Sequence, residues 1–176
     1  MTAGQYDTVW LTGLSGAGKS SIADALARQL KAQGCAVAVL DGDQLRHGLN
    51  RDLGFTPQDR HENIRRTAEV ARLMNGAGLT VIAAFISPYR ADRAMAADII
   101  GAAHFIEVHV STPLAVCEAR DPKGLYEKAR AGQLAQFTGV SAPYEAPLAA
   151  ALTLDTGTLA LDESVERICR YLRQRP

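Results

Sequence analysis

The sequence predicts an α/β protein in three layers: a mostly parallel five-stranded sheet, helices on both faces, and a lid segment late in the chain. Three observations predict it. Five short apolar, β-rich runs recur at 8–12, 36–40, 79–84, 105–110 and 152–154. Stretches of helical periodicity separate them, and such alternation favours parallel strands whose crossovers cover both faces. A glycine-rich loop stands directly between the first run and the first helical stretch.

The first run leads into Gly13-Leu14-Ser15-Gly16-Ala17-Gly18-Lys19-Ser20, and Ile22, Leu26 and Leu30 then mark one helical face. The octet fits G-x-x-x-x-G-K-[ST] in its strand–loop–helix setting, which predicts a phosphate cradle. Glycines let the backbone aim several N–H groups at one polyphosphate, and the helix N-terminus adds to that field. Lys19 would reach the outer phosphates of a nucleoside triphosphate, and the Ser20 hydroxyl would ligate Mg²⁺.

The second run ends in Asp41-Gly42-Asp43. Strand C-terminal ends in an open parallel sheet line the ligand crevice, so these carboxylates can divide two tasks. One holds Mg²⁺, and the other orients or deprotonates an attacking hydroxyl. The alternative is that Asp43 caps the next helix. Thr56-Pro57, with Asp59 in the first turn, predicts a helix start, and Gly76 and Gly78 offer its stop. Ser87-Pro88 and Thr112-Pro113 repeat the cap-then-proline device, and a last helix starts at Asp162 and runs through Val165, Ile168 and Leu172. Residues 120–147 break the rhythm and are too long for an ordinary connector, which suggests a lid over the triphosphate.

Composition bounds the function. One domain, 1–176, is expected at this length. Lys plus Arg and Asp plus Glu number 19 each, so no basic excess points to nucleic acid or a membrane surface. No apolar run approaches the roughly 20 residues of a membrane span, and the N-terminus lacks a signal-peptide layout. Cys35, Cys117 and Cys169 are far apart, as expected of reduced thiols in a cytoplasmic protein. His47, His61, His104 and His109 show no metal-ligand spacing and read as structural or surface residues.

Further residues suggest an acceptor site. Arg60 and Asn63 are neighbours on one helix face and, with Arg46, could clamp a phosphate or sulfate. Arg65 and Arg66 read as solvated surface. Phe55 on its Gly-Phe-Thr-Pro turn and Phe137 in the lid offer two aromatic faces for a purine.

Asp41-Gly42-Asp43, Arg46-His47-Gly48-Leu49-Asn50, Asp52-Leu53-Gly54-Phe55, the block from Arg60 to Arg66, and Phe85-Ile86-Ser87-Pro88-Tyr89-Arg90 resemble the adenylylsulfate kinase family. So do the block from Cys117 to Tyr126 and Phe137-Thr138-Gly139, in the family's order. The resemblance implies a P-loop kinase fold and MgATP-dependent phosphorylation of the ribose 3′-hydroxyl of adenosine 5′-phosphosulfate. It implies that Asp43 handles the acceptor hydroxyl while Asp41 supports the metal. Arg46, Arg60 and Asn63 would hold the phosphosulfate, Phe55 and Phe137 would sandwich its adenine, and Ile86 and Ser87 would line the pocket. Arg120 would lie against the ATP adenine, and Lys123 would neutralise the transferring phosphoryl group. Ser87 matches a serine proposed in this family as a phosphorylated intermediate. In-line transfer needs no such stop, and Ser87 before Pro88 reads equally as a helix N-cap. Gln44 departs from the asparagine that many members carry, yet keeps the amide. Such kinases often pair through apolar surface, so a homodimer fits, and the length leaves no room for a sulfate-activating domain.

Three other readings share the cradle, of which a polynucleotide end kinase is disfavoured by the neutral charge balance. A shikimate- or gluconate-type kinase would have no use for two stacking phenyl rings. A regulatory GTPase-like switch would carry N-K-x-D, which this chain lacks.

Overall fold

The predicted apolar runs coincide with five strands to within one residue in the computed structural model, which describes residues 6–175. They are β1 (Thr8–Thr12), β2 (Val37–Asp41), β3 (Thr80–Phe85), β4 (Phe105–Val110) and β5 (Leu152–Leu154), in the order β2-β3-β1-β4-β5. Every pairing is parallel, so the sheet is wholly rather than mostly parallel. Seven helices join them: α1 (Lys19–Ala32), α2 (Gly42–His47), α3 (Pro57–Gly76), α4 (Arg90–Ile100), α5 (Leu114–Arg120), α6 (Leu125–Arg130) and α7 (Leu161–Gln174).

The alternation of side chains along each strand divides the core in two. On one face Val9, Leu11, Ile82, Ile106 and Val108 pack with Ile22 and Leu26 of α1 and Ile168 of α7. On the other, Trp10, Val81, Ala83 and Phe85 meet Ile64 and Ala68 of α3 and Ala96 of α4. Trp10 is fully buried, stacked on Phe85 and tilted against Phe105, with ring centroids 5.6 Å apart in each case. Burying Ile64 is worth about 1.5–3 kcal/mol. An exposed i,i+3 pair such as Arg72–Glu69 supplies about 0.2–0.5 kcal/mol, so the apolar stripe sets how α3 lies.

The cap at Thr56 forms as expected: its Oγ1 accepts from the Asp59 N–H at 3.1 Å, with Pro57 at the first helical position. The two other cap-then-proline expectations fail. α4 begins only at Arg90, and Ser87 lies in the left-handed region at φ 38° with its hydroxyl against Trp10. α5 starts after Pro113, while the Thr112 hydroxyl faces Ala17 O at 3.1 Å and the Thr156 hydroxyl at 2.8 Å. Both residues end strand–loop junctions in the crevice, where contacts across the sheet displace the local cap. α7 begins one residue before the expected Asp162, which lies with Glu163 in its first turn.

Because all five strands run the same way, the loops after β1, β2, β3, β4 and β5 emerge at one edge of the sheet. Residues 120–147 cover that edge through α6 and a loop closed by a bridge between Thr138 and Ala142.

Candidate active site

The loop after β1 wraps back on itself before α1. A Cβ on Gly13 would stand 2.4 Å from Val110 O, so only glycine fits there. Gly18, at φ 98°, enters α1 from the left-handed region. Lys19 is buried, and its Nζ donates to Gly13 O at 2.9 Å and Leu14 O at 2.7 Å. Burial pulls its ammonium down to about 8, opposed by the negative groups Asp43 and Asp41. The Ser20 hydroxyl donates to Asp41 Oδ2 at 2.7 Å. Asp41 Oδ1 accepts from the Asp43 N–H at 2.9 Å and caps α2. The cap is thus Asp41 and not Asp43, whose own carboxylate is left to pair with Lys123 from the lid.

Opposite this cradle, across a cavity of about 770 Å³, stand the arginines and phenyl rings. Arg46 lies 4.2 Å from the Phe55 ring centre and donates to Leu53 O at 3.1 Å and Gly54 O at 2.9 Å. Arg60 donates through Nε to Phe55 O at 3.0 Å and through Nη2 to Gln136 O at 2.8 Å. It thereby ties the segment bearing Phe55 to the one bearing Phe137. Burial, and then the nearby Arg60, push the Arg46 guanidinium below its ordinary range. Two guanidinium groups so close are a region that an anion would relieve. Asn63 Oδ1 accepts from the buried Asn50 Nδ2 at 2.9 Å. Phe55 is 58 % exposed at the mouth of the cavity, an uncommon position for a phenyl ring without a partner molecule. Phe137 also lines the cavity and packs edge-on against Tyr126.

Arg120 is anchored on the loop after β5, donating to Thr156 Oγ1 and Thr156 O at 2.7 Å each. Ile86 and Ser87 line the cavity on the β3 side. The Ser87 hydroxyl is buried and accepts from Trp10 Nε1 at 3.1 Å, and Arg93 Nη1 holds Ser87 O at 2.7 Å. Sixteen of the nineteen residues singled out from the sequence therefore line one cavity, and the other three, Gly13, Leu14 and Ala17, belong to the phosphate loop beside it. Arg66 stays at the surface as expected, where it donates to both Asp52 oxygens at 2.7 and 2.9 Å and to Glu62, stapling α3 to the loop before it.

Sequence reasoning missed several participants. Thr156 donates to Ala17 O at 2.8 Å and holds Arg120, and its place just after β5 at the crevice edge was the available signal. Thr138 lines the cavity, and its buried Oγ1 has no partner. Arg93 had no signal, and Tyr126 stood only at the end of a block resembling the family with no role attached, since each is a polar residue buried by tertiary packing.

A nucleotide cradle, facing carboxylates and a second wall of arginine and phenyl groups, on a wholly parallel sheet, define a P-loop phosphotransferase. Within that class the chain belongs to the adenylylsulphate kinase family, whose model matches residues 5–155. The adenylyl-sulfate kinase of Shewanella amazonensis is 57% identical over 164 residues, covering 93% of this chain and 83% of that protein. The solved APS kinase CysC of Mycobacterium tuberculosis, in complex with AMPPNP and APS, matches with a TM-score of 0.94 at 46% identity. That match covers 97% of this chain and 99% of the other. A hexameric APS kinase from Thiobacillus denitrificans matches at a TM-score of 0.73 and 36% identity, over 96% of this chain and 29% of that one.

Proposed function

We propose that this chain transfers the γ-phosphoryl group of MgATP to the 3′-hydroxyl of adenosine 5′-phosphosulfate, giving 3′-phosphoadenosine 5′-phosphosulfate. One observation carries the reading: the phosphate cradle and Asp43 face, across a single cavity, an exposed phenyl ring flanked by two arginines. An acceptor that is itself an anionic nucleotide uses all of these, whereas a small sugar acid would use neither ring.

In this reading the N–H groups of residues 13–20 and Lys19 hold the ATP phosphates, and Arg120 borders its adenine. Ser20 and Asp41 fit Mg²⁺, because a hydroxyl and a carboxylate oxygen already face each other at hydrogen-bond distance. Hard oxygen donors of that kind, few in number, suit an ion that keeps waters and phosphate oxygens around it. When bound, the ion would neutralise charge on the transferring phosphoryl group. Arg46, Arg60 and Asn63 receive the phosphosulfate, and Phe55 and Phe137 stack on the acceptor adenine, with Ile86 and Ser87 flooring the pocket. Asp43 accepts the proton of the attacking 3′-hydroxyl or aligns it for in-line attack. Lys123, which pairs with Asp43 here, turns its ammonium to the phosphoryl oxygens and offsets their charge as residues 120–147 act as a lid. Ser87 shapes the pocket without becoming phosphorylated, since Trp10 and Arg93 already hold its turn.

No helix among the described residues is long and apolar enough to cross a membrane. A cytoplasmic homodimer belongs to the same proposal, supported by exposed apolar side chains such as Leu73 and Leu148. The test offers MgATP together with adenosine 5′-phosphosulfate, shikimate, gluconate or an oligonucleotide 5′ end in parallel. Product phosphorylated at the 3′ position should form from the first alone, and its absence there would refute the assignment.

A further inference from the structure

Tyr126 of α6 is 2 % exposed and lines neither half of the cavity, yet it touches both. Its hydroxyl donates to Ser15 O in the phosphate loop at 2.9 Å. Its ring meets Phe137 edge to face, with centroids 5.0 Å apart and an interplanar angle of 84°. Its backbone N–H is held by Asp121 Oδ1 at 3.1 Å, which fixes the first turn of α6.

The peptide unit is planar and trans, so the carbonyl of Ser15 and the N–H of Gly16 point in opposite directions. A hydroxyl fixed on Ser15 O therefore sets the orientation of Gly16 N–H in the cradle. The same side chain sets the pitch of Phe137, because an edge-to-face pair is most favourable over a narrow range of angles. We infer that Tyr126 is a positioning residue that couples the two sites: an occupied phosphate loop favours the Phe137 pose that receives the acceptor. By linkage, a bound acceptor strengthens nucleotide binding by the same factor. This inference rests on the reading of a donor and an acceptor nucleotide given above.

The experiment measures the affinity of the whole chain for adenosine 5′-phosphosulfate by calorimetry, with and without a non-hydrolysable ATP analogue. The native chain should bind the acceptor at least about fivefold more tightly when the analogue is present, the low end of ordinary coupling. Tyr126→Phe keeps the ring and removes the hydroxyl. Its acceptor affinity without nucleotide should stay within about twofold of native, while the enhancement falls to about onefold. Phe137→Leu keeps the Tyr126–Ser15 bond and breaks the ring contact. It should abolish the enhancement and leave analogue affinity unaltered, which a general loss of structure would not do. Full enhancement in Tyr126→Phe, or none in the native chain, would overturn the coupling. An acceptor that does not bind the native chain under either condition would overturn the kinase reading itself.

Discussion

At the residue scale, the chemistry is concentrated in a few side chains whose roles separate cleanly. Asp43 pairs with Lys123 and not with the phosphate loop, and in the proposed reaction it serves the acceptor hydroxyl rather than nucleotide affinity. Asp43→Ala should lower kcat at least about a hundredfold, in the range of a lost general base, and change ATP-analogue affinity by less than about threefold. Steady-state kinetics beside a binding titration would show it, and a variant that loses ATP affinity but keeps kcat would exclude the role. Lys19 titrates near 8 in the ligand-free chain because it is buried. Its charged form is the one that binds phosphate, so nucleotide affinity should be flat below that pH and fall as pH rises through it. Binding above pH 8 should then take up a proton, readable by calorimetry in buffers of different ionisation enthalpy. An affinity unchanged to pH 9.5 would show that Lys19 is not the group responsible. Ser87 has its hydroxyl turned to Trp10 within the fold, so Ser87→Ala should retain a substantial part of native turnover. Complete loss would restore a covalent role.

At the element scale, the helices differ in how they are held. α3 has a local start signal, and Thr56→Ala should cost about 0.5–2 kcal/mol by chemical denaturation, the ordinary worth of such a cap. A loss below the error of the titration would mean that burial of Ile64, Ala68 and Ala71 alone fixes the start. α4 and α5 have no side-chain cap, and their entry points are set by the crevice. This divides what was legible in the sequence from what was not. Strands, the cradle and the α3 cap follow from periodicity and short-range chemistry, so they are readable from neighbours in the chain. The turn at Ser87 is not, because its left-handed backbone depends on Trp10 and Arg93, which are remote in sequence. Asp121 and Gln136 are the other non-glycine residues with left-handed φ among those described, at 23° and 55°. All three lie in or beside the cavity wall, where tertiary contacts overrule local preference.

At the scale of the whole molecule, one sheet with two unequal cores carries the phosphate loop and the facing wall of arginine and phenyl groups on a single edge. The side packed by α1 and α7 underlies the cradle, so Leu26→Ala should destabilise by about 2–5 kcal/mol. A thermal midpoint lowered by roughly 2–4 °C per kcal/mol would register it, and an unchanged midpoint would show that the core repacks without loss. The composition made this architecture readable, since five apolar runs leave few ways to alternate strand and helix. The site was readable as a set of residues but not as a circuit. Arg60 joining Phe55 O to Gln136 O, and Thr156 holding Arg120, are contacts that no spacing announces. The other core has a different consequence. Trp10 is the chain's one tryptophan, clamped between Phe85 and Phe105 with its N–H on the Ser87 turn that lines the cavity. The protein therefore carries a built-in fluorophore one hydrogen bond behind the wall of the proposed acceptor pocket, and its emission should follow acceptor binding in real time without a label.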